Sequence, residues 1–301
     1  MLKQSLSYYL LLLVLKLKGV KKDFSQDPIN LRRIRNGDIH APGVSFFPRK
    51  KLSIFKIAAS TITELKGADA SKGLILLVHG GAFISGPTDL HWKVLKKIAA
   101  KTGQTVWLCD YPKAPENQIA SISNNIDLVY ATALKEYSAN KITLLGDSVG
   151  GTLVTALTQR LIQKNLELPT KLVLVSPVMD ASMSNPKIEE VDLRDPMLSK
   201  AGVLSAKKMC AGEIDLKNAI ISPFYASFNG FPKTVLFLAE KDITYPDQQL
   251  AVKKMEAEGV KVEVILGKNM LHIWPFLPVM REAKVALNQL INRLMSNSAK
   301  A

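Results

Sequence analysis

A chain that places Gly146-Asp147-Ser148-Val149-Gly150-Gly151 between an apolar run and a helical pattern has few ways to fold around it. Ahead of it, Ile142-Thr143-Leu144-Leu145 is short, apolar and partly β-branched, the pattern of a buried strand. Behind it, apolar residues from Thr152 to Leu161 recur at roughly helical spacing, so a helix is expected to start near Val149. Strand, sharp turn and helix form the setting in which a G-x-S-x-G sequence holds its serine. Side chains beside that serine would collide in so tight a bend, and Gly146 and Gly150 remove them. The Ser148 hydroxyl is then pushed out above the sheet. The amides that follow, that of Val149 among them, point from the helix start toward any negative charge that develops there. Such a motif alone arises often by chance, so the rest of the chain has to decide its meaning.

The rest of the chain alternates. Leu74 to Val78, Thr105 to Cys109, Leu172 to Val175, Thr234 to Ala239 and Val262 to Ile265 are further apolar runs that read as strands. Between and after them, Asp89 to Ala100 (capped by Thr88), Asn117 to Tyr137 and Arg281 to Met295 read as helices. Strands alternating with helices imply right-handed crossovers and a mostly parallel sheet. Ser53 to Ala59 reads as an edge strand, and Gly67 to Gly73 as a polar turn. The rhythm fails from Met179 to Phe231, where prolines separate short helical stretches. That is too long for a plain connection and reads as an inserted helical layer. An apolar N-terminal helix over Gln4 to Lys18 is expected to cover another part of the protein and to be able to join that layer.

A serine hydroxyl needs a base within reach and a group that orients the base. Of the four histidines, His40, His79, His91 and His272, only His272 falls in a loop after the last strand and just before the final helix. In an open parallel sheet this is the rim that carries Ser148. The orienting acid is expected after the preceding strand, where Glu240-Lys241-Asp242 stands; Asp242 is favoured over Glu240 and Asp247. The chain order is then Ser148, Asp242, His272. His79-Gly80-Gly81-Ala82 ends an upstream strand and offers closely approaching N–H groups for an oxyanion. With Val149 this makes a hole built from Gly80, Gly81, Ala82 and Val149. His79 is expected to hold the loop, His91 to be structural and His40 to lie at the surface.

These passages, taken in order, resemble the hormone-sensitive lipase family of α/β-hydrolases, which includes bacterial carboxylesterases and arylacetamide-deacetylase-like enzymes. His79-Gly80-Gly81-Ala82-Phe83 resembles its H-G-G-G loop, and Asp110 to Asn117 its D-Y-R-L-A-P-E-N/H stretch. Gly146 to Gly151 resembles G-D-S-A-G-G, and Ser176 to Asp180 the S-P-x-x-D turn. Asp242 to Asp247 resembles D-x-L-x-D, and Leu271-His272-Ile273-Trp274 resembles M-x-H-x-F. The resemblance runs from about Leu74 to the C-terminus. It implies an α/β-hydrolase fold with a mostly parallel sheet, the catalytic domain at 46–178 and 230–301, and a helical cap at 1–45 and 179–229 over an acyl pocket. It implies hydrolysis of short- to medium-chain acyl esters through an acyl-enzyme, with Ser148 attacking, His272 moving the proton and Asp242 orienting His272. No metal or cofactor is implied. Two departures stand out: Ala82 replaces the third glycine and narrows the approach to the hole, and Pro112-Lys113 replaces the usual R-L pair, which leaves the local salt bridges open.

Composition sets the remaining bounds. The 301 residues suffice for one large core, or one core with a smaller appended domain. The net charge of +14 raises nucleic acid or an anionic membrane as partners. The lysines are dispersed, with no basic run interleaved with aromatics, which argues against nucleic acid. A membrane-surface contact is the less favoured reading, and a homodimer is left open. Cys109 and Cys210 have no C-x-x-C partner or nearby histidine, so a reducing, cytoplasmic setting is expected and no zinc site. The N-terminal apolar run from Tyr8 to Leu15 is well short of the ~20 residues of a membrane span. It is followed by Lys16 and Lys18 rather than by a small-residue cleavage site. Two other readings compete with the esterase: a catalytically silent ligand receptor of the same fold, which His272 disfavours, and an interfacial lipase.

Overall fold

A strand covered on both faces needs apolar residues at every position, because its side chains alternate between the two sides. The computed structural model, which describes residues 4–43, 46–47, 51–277 and 279–296, shows this directly. The expected domain boundary at residue 45 lies outside the described residues. An eight-stranded sheet runs in the order β1-β2-β4-β3-β5-β6-β7-β8. The strands are β1 (Leu52–Ile57), β2 (Ser60–Leu65), β3 (Leu74–Val78), β4 (Thr105–Asp110), β5 (Ile142–Asp147), β6 (Lys171–Val175), β7 (Lys233–Ala239) and β8 (Val262–Gly267). The strands from β4 to β8 in that order are parallel, while β2 is antiparallel to both β1 and β4.

Alternate residues supply two cores. Leu74, Leu76 and Val78 of β3, with Leu144, Leu172 and Leu174, face one side; Ile75, Leu77, Leu145, Val173 and Val175 face the other. The first side is covered by α5 (Ile119–Glu136), α6 (Val149–Gln163) and α9 (Tyr245–Ala257), through residues such as Ile126, Leu153 and Met255. The second is covered by α4 (Asp89–Thr102) and α10 (Arg281–Met295), through Leu95, Ile98, Leu287 and Leu290.

Strand β1 lies at one edge of the sheet, as the sequence suggests, and the sequence pattern does not mark its neighbour β2. Its hairpin turns at Ala58-Ala59, with Ala58 at a φ of 51°. Only the first of the two central residues is at positive φ, a position usually marked by glycine, and an alanine there gives no such signal.

The insertion after β6 contains α7 (Lys187–Asp192) and α8 (Lys200–Ala211). The N-terminal segment supplies α1 (Leu6–Lys18), α2 (Val20–Asp23) and α3 (Leu31–Ile34). Between Lys21 and Ile29 this segment joins the insertion, and from Arg35 it turns to the loop after β3, where Arg35 Nε donates to the Ile84 carbonyl at 2.8 Å. Gly202 N–H donates to the Phe24 carbonyl at 3.0 Å, Ile29 N–H to Ser205 Oγ at 3.1 Å, and Lys21 Nζ to the Asp195 carbonyl at 2.8 Å. Helix α1 lies elsewhere, against α10 and the loop after β8. Ser5 Oγ donates to Glu282 Oε2 at 2.7 Å and Tyr8 Oη to the Asn269 carbonyl at 2.8 Å.

Candidate active site

The turn between β5 and α6 holds Ser148 at φ 51°, ψ −124°, a backbone region that side-chain-bearing residues avoid. It is over-determined by its neighbours. Ser148 N–H donates to the Val175 carbonyl at 2.9 Å, and its own carbonyl accepts from Gly151 at 3.0 Å and Val178 at 3.2 Å. Gly150 must be glycine, since a Cβ there would lie 2.0 Å from the Val78 carbonyl oxygen, where α6 crosses β3. The hydroxyl emerges at the carboxyl ends of the parallel strands.

Asp242 follows β7 and His272 follows β8, and their loops are tied together by the Lys241 N–H to the Met270 carbonyl at 2.9 Å. The second flank of the His272 loop is pinned where Ile273 N–H donates to Ser176 Oγ at 3.0 Å. The result is a continuous polar line. His272 Nε2 is 2.9 Å from Ser148 Oγ, and His272 Nδ1 is 2.7 Å from Asp242 Oδ2. The other oxygen of Asp242 accepts from Thr244 N–H at 2.9 Å and Thr244 Oγ1 at 2.7 Å. All three residues are buried.

The electrostatics follow from that packing. Burial by itself would raise the pKa of Asp242, but the charge and hydrogen bond of His272 and the two Thr244 donors outweigh it and hold the carboxyl below its ordinary range. Burial would lower His272, but the adjacent Asp242 carboxylate outweighs it, so the imidazole sits above its usual 6.5. Behind the pair stands Asp195, from the inserted segment. Burial and the nearby Asp242 charge push Asp195 up to about 7, against hydrogen bonds from Leu198, Met197 and Ile243. Its Oδ2 accepts the Ile243 N–H at 3.0 Å, so the insertion clasps the turn that follows Asp242.

The loop after β3 forms the opposite wall. The N–H groups of Gly80, Gly81 and Ala82 donate to no acceptor among the described residues. Val149 opens α6, where backbone N–H groups have no partner in their own helix. His79 is fully buried, stacked on Tyr111 with ring centroids 4.6 Å apart, while Tyr111 Oη donates to the His79 carbonyl at 3.0 Å. Burial, helped by the charge of Lys113, lowers His79 to about 4, so it is neutral near pH 7 and braces the loop.

The other expected residues are placed apart from this line. Glu240 Oε2 accepts from Asn269 N–H at 2.8 Å, and Asp247 Oδ1 from Asn185 at 2.9 Å. His91 caps α4: Thr88 N–H donates to its Nδ1 at 3.0 Å, leaving the Nε2 proton directed at Asp147 Oδ2, 3.4 Å away. His40 is exposed, with Nδ1 2.8 Å from Asp110 Oδ2. The 110–117 stretch is held by salt bridges of its own. Lys113 pairs with Asp110 at 2.7 Å, and Glu116 is held at 2.7 Å by Arg35 from the N-terminal segment.

One substitution follows from the crowding here. A Cβ at Gly80 would lie 2.4 Å from Asp147 Oδ2 and 2.9 Å from the Ser148 Cβ. Gly80→Ala is therefore expected to displace the serine and the loop together. Any activity measured on a chromogenic ester should fall about a hundredfold, since misplacement by an ångström costs that much. Unchanged turnover would show that this approach is not needed.

The comparisons with known proteins agree with this architecture. The family described as alpha/beta hydrolase fold matches residues 75–276. An esterase from Acinetobacter venetianus is 28% identical over 228 residues, covering 74% of this chain and 74% of its own. Esterase LipU of Mycobacterium tuberculosis is 28% identical over 218 residues, covering 68% of this chain and 71% of its own. A solved hormone-sensitive lipase from a metagenome library superposes with a TM-score of 0.84 at 25% identity, covering 97% of this chain and 98% of its own. With a parallel sheet, a serine at the sharp turn and a match over most of its length, the chain belongs to the alpha/beta hydrolase fold family, in the hormone-sensitive-lipase-like group that its motifs resemble.

Proposed function

We propose that the chain is a serine carboxylesterase that hydrolyses short- to medium-chain acyl esters through an acyl-enzyme. Ester hydrolysis is the activity that the matched relatives are named for. The observation that carries the mechanism is the unbroken line from Ser148 Oγ through the His272 ring to Asp242, with distances of 2.9 and 2.7 Å. Ser148 Oγ attacks the ester carbonyl as His272 Nε2 takes its proton. The imidazolium so formed is stabilised by the Asp242 carboxylate and then protonates the leaving alkoxide. Water repeats the sequence on the acyl-serine. The negative oxygen of each tetrahedral intermediate is met by N–H groups from the Gly80–Ala82 loop and from Val149, and fixed donors of this kind cost no reorganisation as charge develops. The N-terminal segment after α1, together with the 179–229 insertion, acts as the cap that limits acyl length. Buried Cys109 and Cys210, both free, fit a reducing, cytoplasmic setting.

The test is a series of p-nitrophenyl acyl esters beside the matching anilides, with the protein quenched early and its peptides weighed. The expected result is faster turnover on esters than anilides, a maximum at short to medium acyl chains, and an acyl mass increment on the Ser148 peptide. No hydrolysis of any member, with the chain folded, would favour a silent ligand-binding role. An increment on another residue would overturn Ser148 as nucleophile.

A further inference from the structure

Helix α1 is apolar on two opposite sides. Tyr8, Leu11 and Leu15 turn inward against the body of the protein. Leu6, Leu10, Leu13 and Leu17 follow one another at steps of four, three and four residues, which at about 100° per residue places them on one line along the helix. All four are more than half exposed, with Tyr9 and Val14 exposed beside them. A surface helix normally presents charged residues on this side. Here the cations flank the line. Lys16 and Lys18 are exposed on either side of it, and Lys22 and Arg32 are exposed just beyond its C-terminal end. None of these four forms an ion pair among the described residues, and the one nearby acid of α2, Asp23, is held by Arg33. Lys18, Arg32 and Arg33 line a surface groove there.

We infer that α1 is an interfacial docking helix that seats this protein on an anionic lipid bilayer. The charge argues for a bilayer over a second copy: pairing α1 with itself would bring like cations together on a chain that already carries +14, whereas anionic headgroups neutralise them. The dimensions argue for lying flat. Thirteen residues span about 20 Å, and no helix among the described residues is long and apolar enough to cross a membrane. A helix with leucines on one side and lysines flanking them sinks its apolar side to the headgroup boundary, while the lysine stems reach up to the phosphates. The position argues for a purpose. Tyr8 Oη donates to the Asn269 carbonyl and accepts from Lys241 Nζ at 3.1 Å, so α1 rests on the two loops that carry Asp242 and His272. Docking therefore holds the two loops that carry Asp242 and His272 one helix diameter, roughly 10 Å, from the lipid surface, where esters with apolar acyl chains accumulate. The docking itself does not depend on the hydrolase assignment, because binding is read without turnover.

The experiment is sedimentation with sucrose-loaded vesicles, of phosphatidylcholine alone or mixed with phosphatidylglycerol, at low and at physiological salt. The natural chain is expected to sediment with the mixed vesicles, more at low salt, and only weakly with phosphatidylcholine alone. The pair Leu10→Glu and Leu17→Glu should cut binding to mixed vesicles more than tenfold, since it removes two inserting leucines and repels the headgroups. Lys16→Glu with Lys18→Glu should remove most of the salt dependence. The side chains changed are exposed, so the thermal midpoint of each variant should match that of the natural chain, as should its hydrolysis of a soluble acetate ester. Failure of the natural chain to bind mixed vesicles would overturn the proposal, as would binding that ignores the leucine changes. A dimer of the natural chain that dissociates in the leucine variant, with no vesicle binding, would show instead that a second copy covers the stripe.

Discussion

Ser148→Ala is expected to lose ester hydrolysis by roughly ten-thousandfold to millionfold while the fold survives. Removing the proposed nucleophile leaves only binding and the N–H donors, which supply a small residue of acceleration over water. Stability should change little, because the hydroxyl gives up one hydrogen bond, to His272 Nε2, worth about 1 kcal/mol. A companion variant separates chemistry from structure. Ser148 stands at φ 51°, ψ −124°, a region whose cost to a residue with a side chain is on the order of 1–3 kcal/mol. Ser148→Gly relieves that strain and should be as inactive as the alanine variant yet more stable, by about 1 kcal/mol after the greater freedom of the unfolded glycine is counted. Thermal unfolding of the variants beside turnover on a p-nitrophenyl ester reads both effects. Equal stability of the glycine and alanine forms would mean that the turn stores no strain. Retained hydrolysis in either would remove Ser148 from the chemistry.

The parts of this site that could be read from sequence are those that a local pattern or chain order marks. Ser148 is marked by the strand-turn-helix around it, and the buried strands by apolar residues at every position. Asp242 and His272 become legible only together, through their order after β7 and β8, because a lone acid and a lone histidine carry no signal. What supports them was not legible. Asp195 reaches the Asp242 loop across 48 residues of chain to the Ile243 N–H, and nothing near it announces that contact. Thr244 and Gln248, whose Nε2 donates to Thr244 Oγ1 at 2.7 Å, look like ordinary polar residues at a helix start. Helix α9 carries no helical signal of its own, because its buried positions include Pro246, Asp247 and Gln248 rather than an apolar stripe. Lys207 is the sharpest case. On α8 it reads as a solvated lysine, yet it is fully buried, donating to the Asp180 carbonyl at 3.3 Å. Burial lowers it to about 8, opposed by Asp180 and Asp247. Tertiary packing of the insertion decides such positions, and a single sequence does not display it.

The same packing makes Asp242→Asn more informative than alanine at that position. One oxygen of Asp242 is already claimed by the Thr244 N–H and hydroxyl, both donors. An asparagine would keep its carbonyl oxygen there and turn its NH2 toward His272 Nδ1. That nitrogen would have to accept a hydrogen bond instead of donating one. The ring proton would then sit on Nε2, facing Ser148 Oγ, and the imidazole could no longer take the serine proton. With shape preserved and the tautomer reversed, kcat should fall about ten-thousandfold near pH 7. The pH profile gives an independent reading. In the natural chain the Asp242 charge, with smaller help from Asp195 and Asp147, overcomes burial and holds His272 above 6.5. Activity is therefore expected to be lost as the pH falls through a midpoint on the alkaline side of that value, when the imidazole takes up its proton and ceases to be a base. Asp242→Asn removes the largest of the charges that favour the imidazolium, so the midpoint of the remaining activity should move to lower pH. A large rate loss with that shift is the signature of an acid that orients and charges the base. A similar loss with an unmoved midpoint would mean that Asp242 only holds the loop, and that some other carboxylate sets the state of His272.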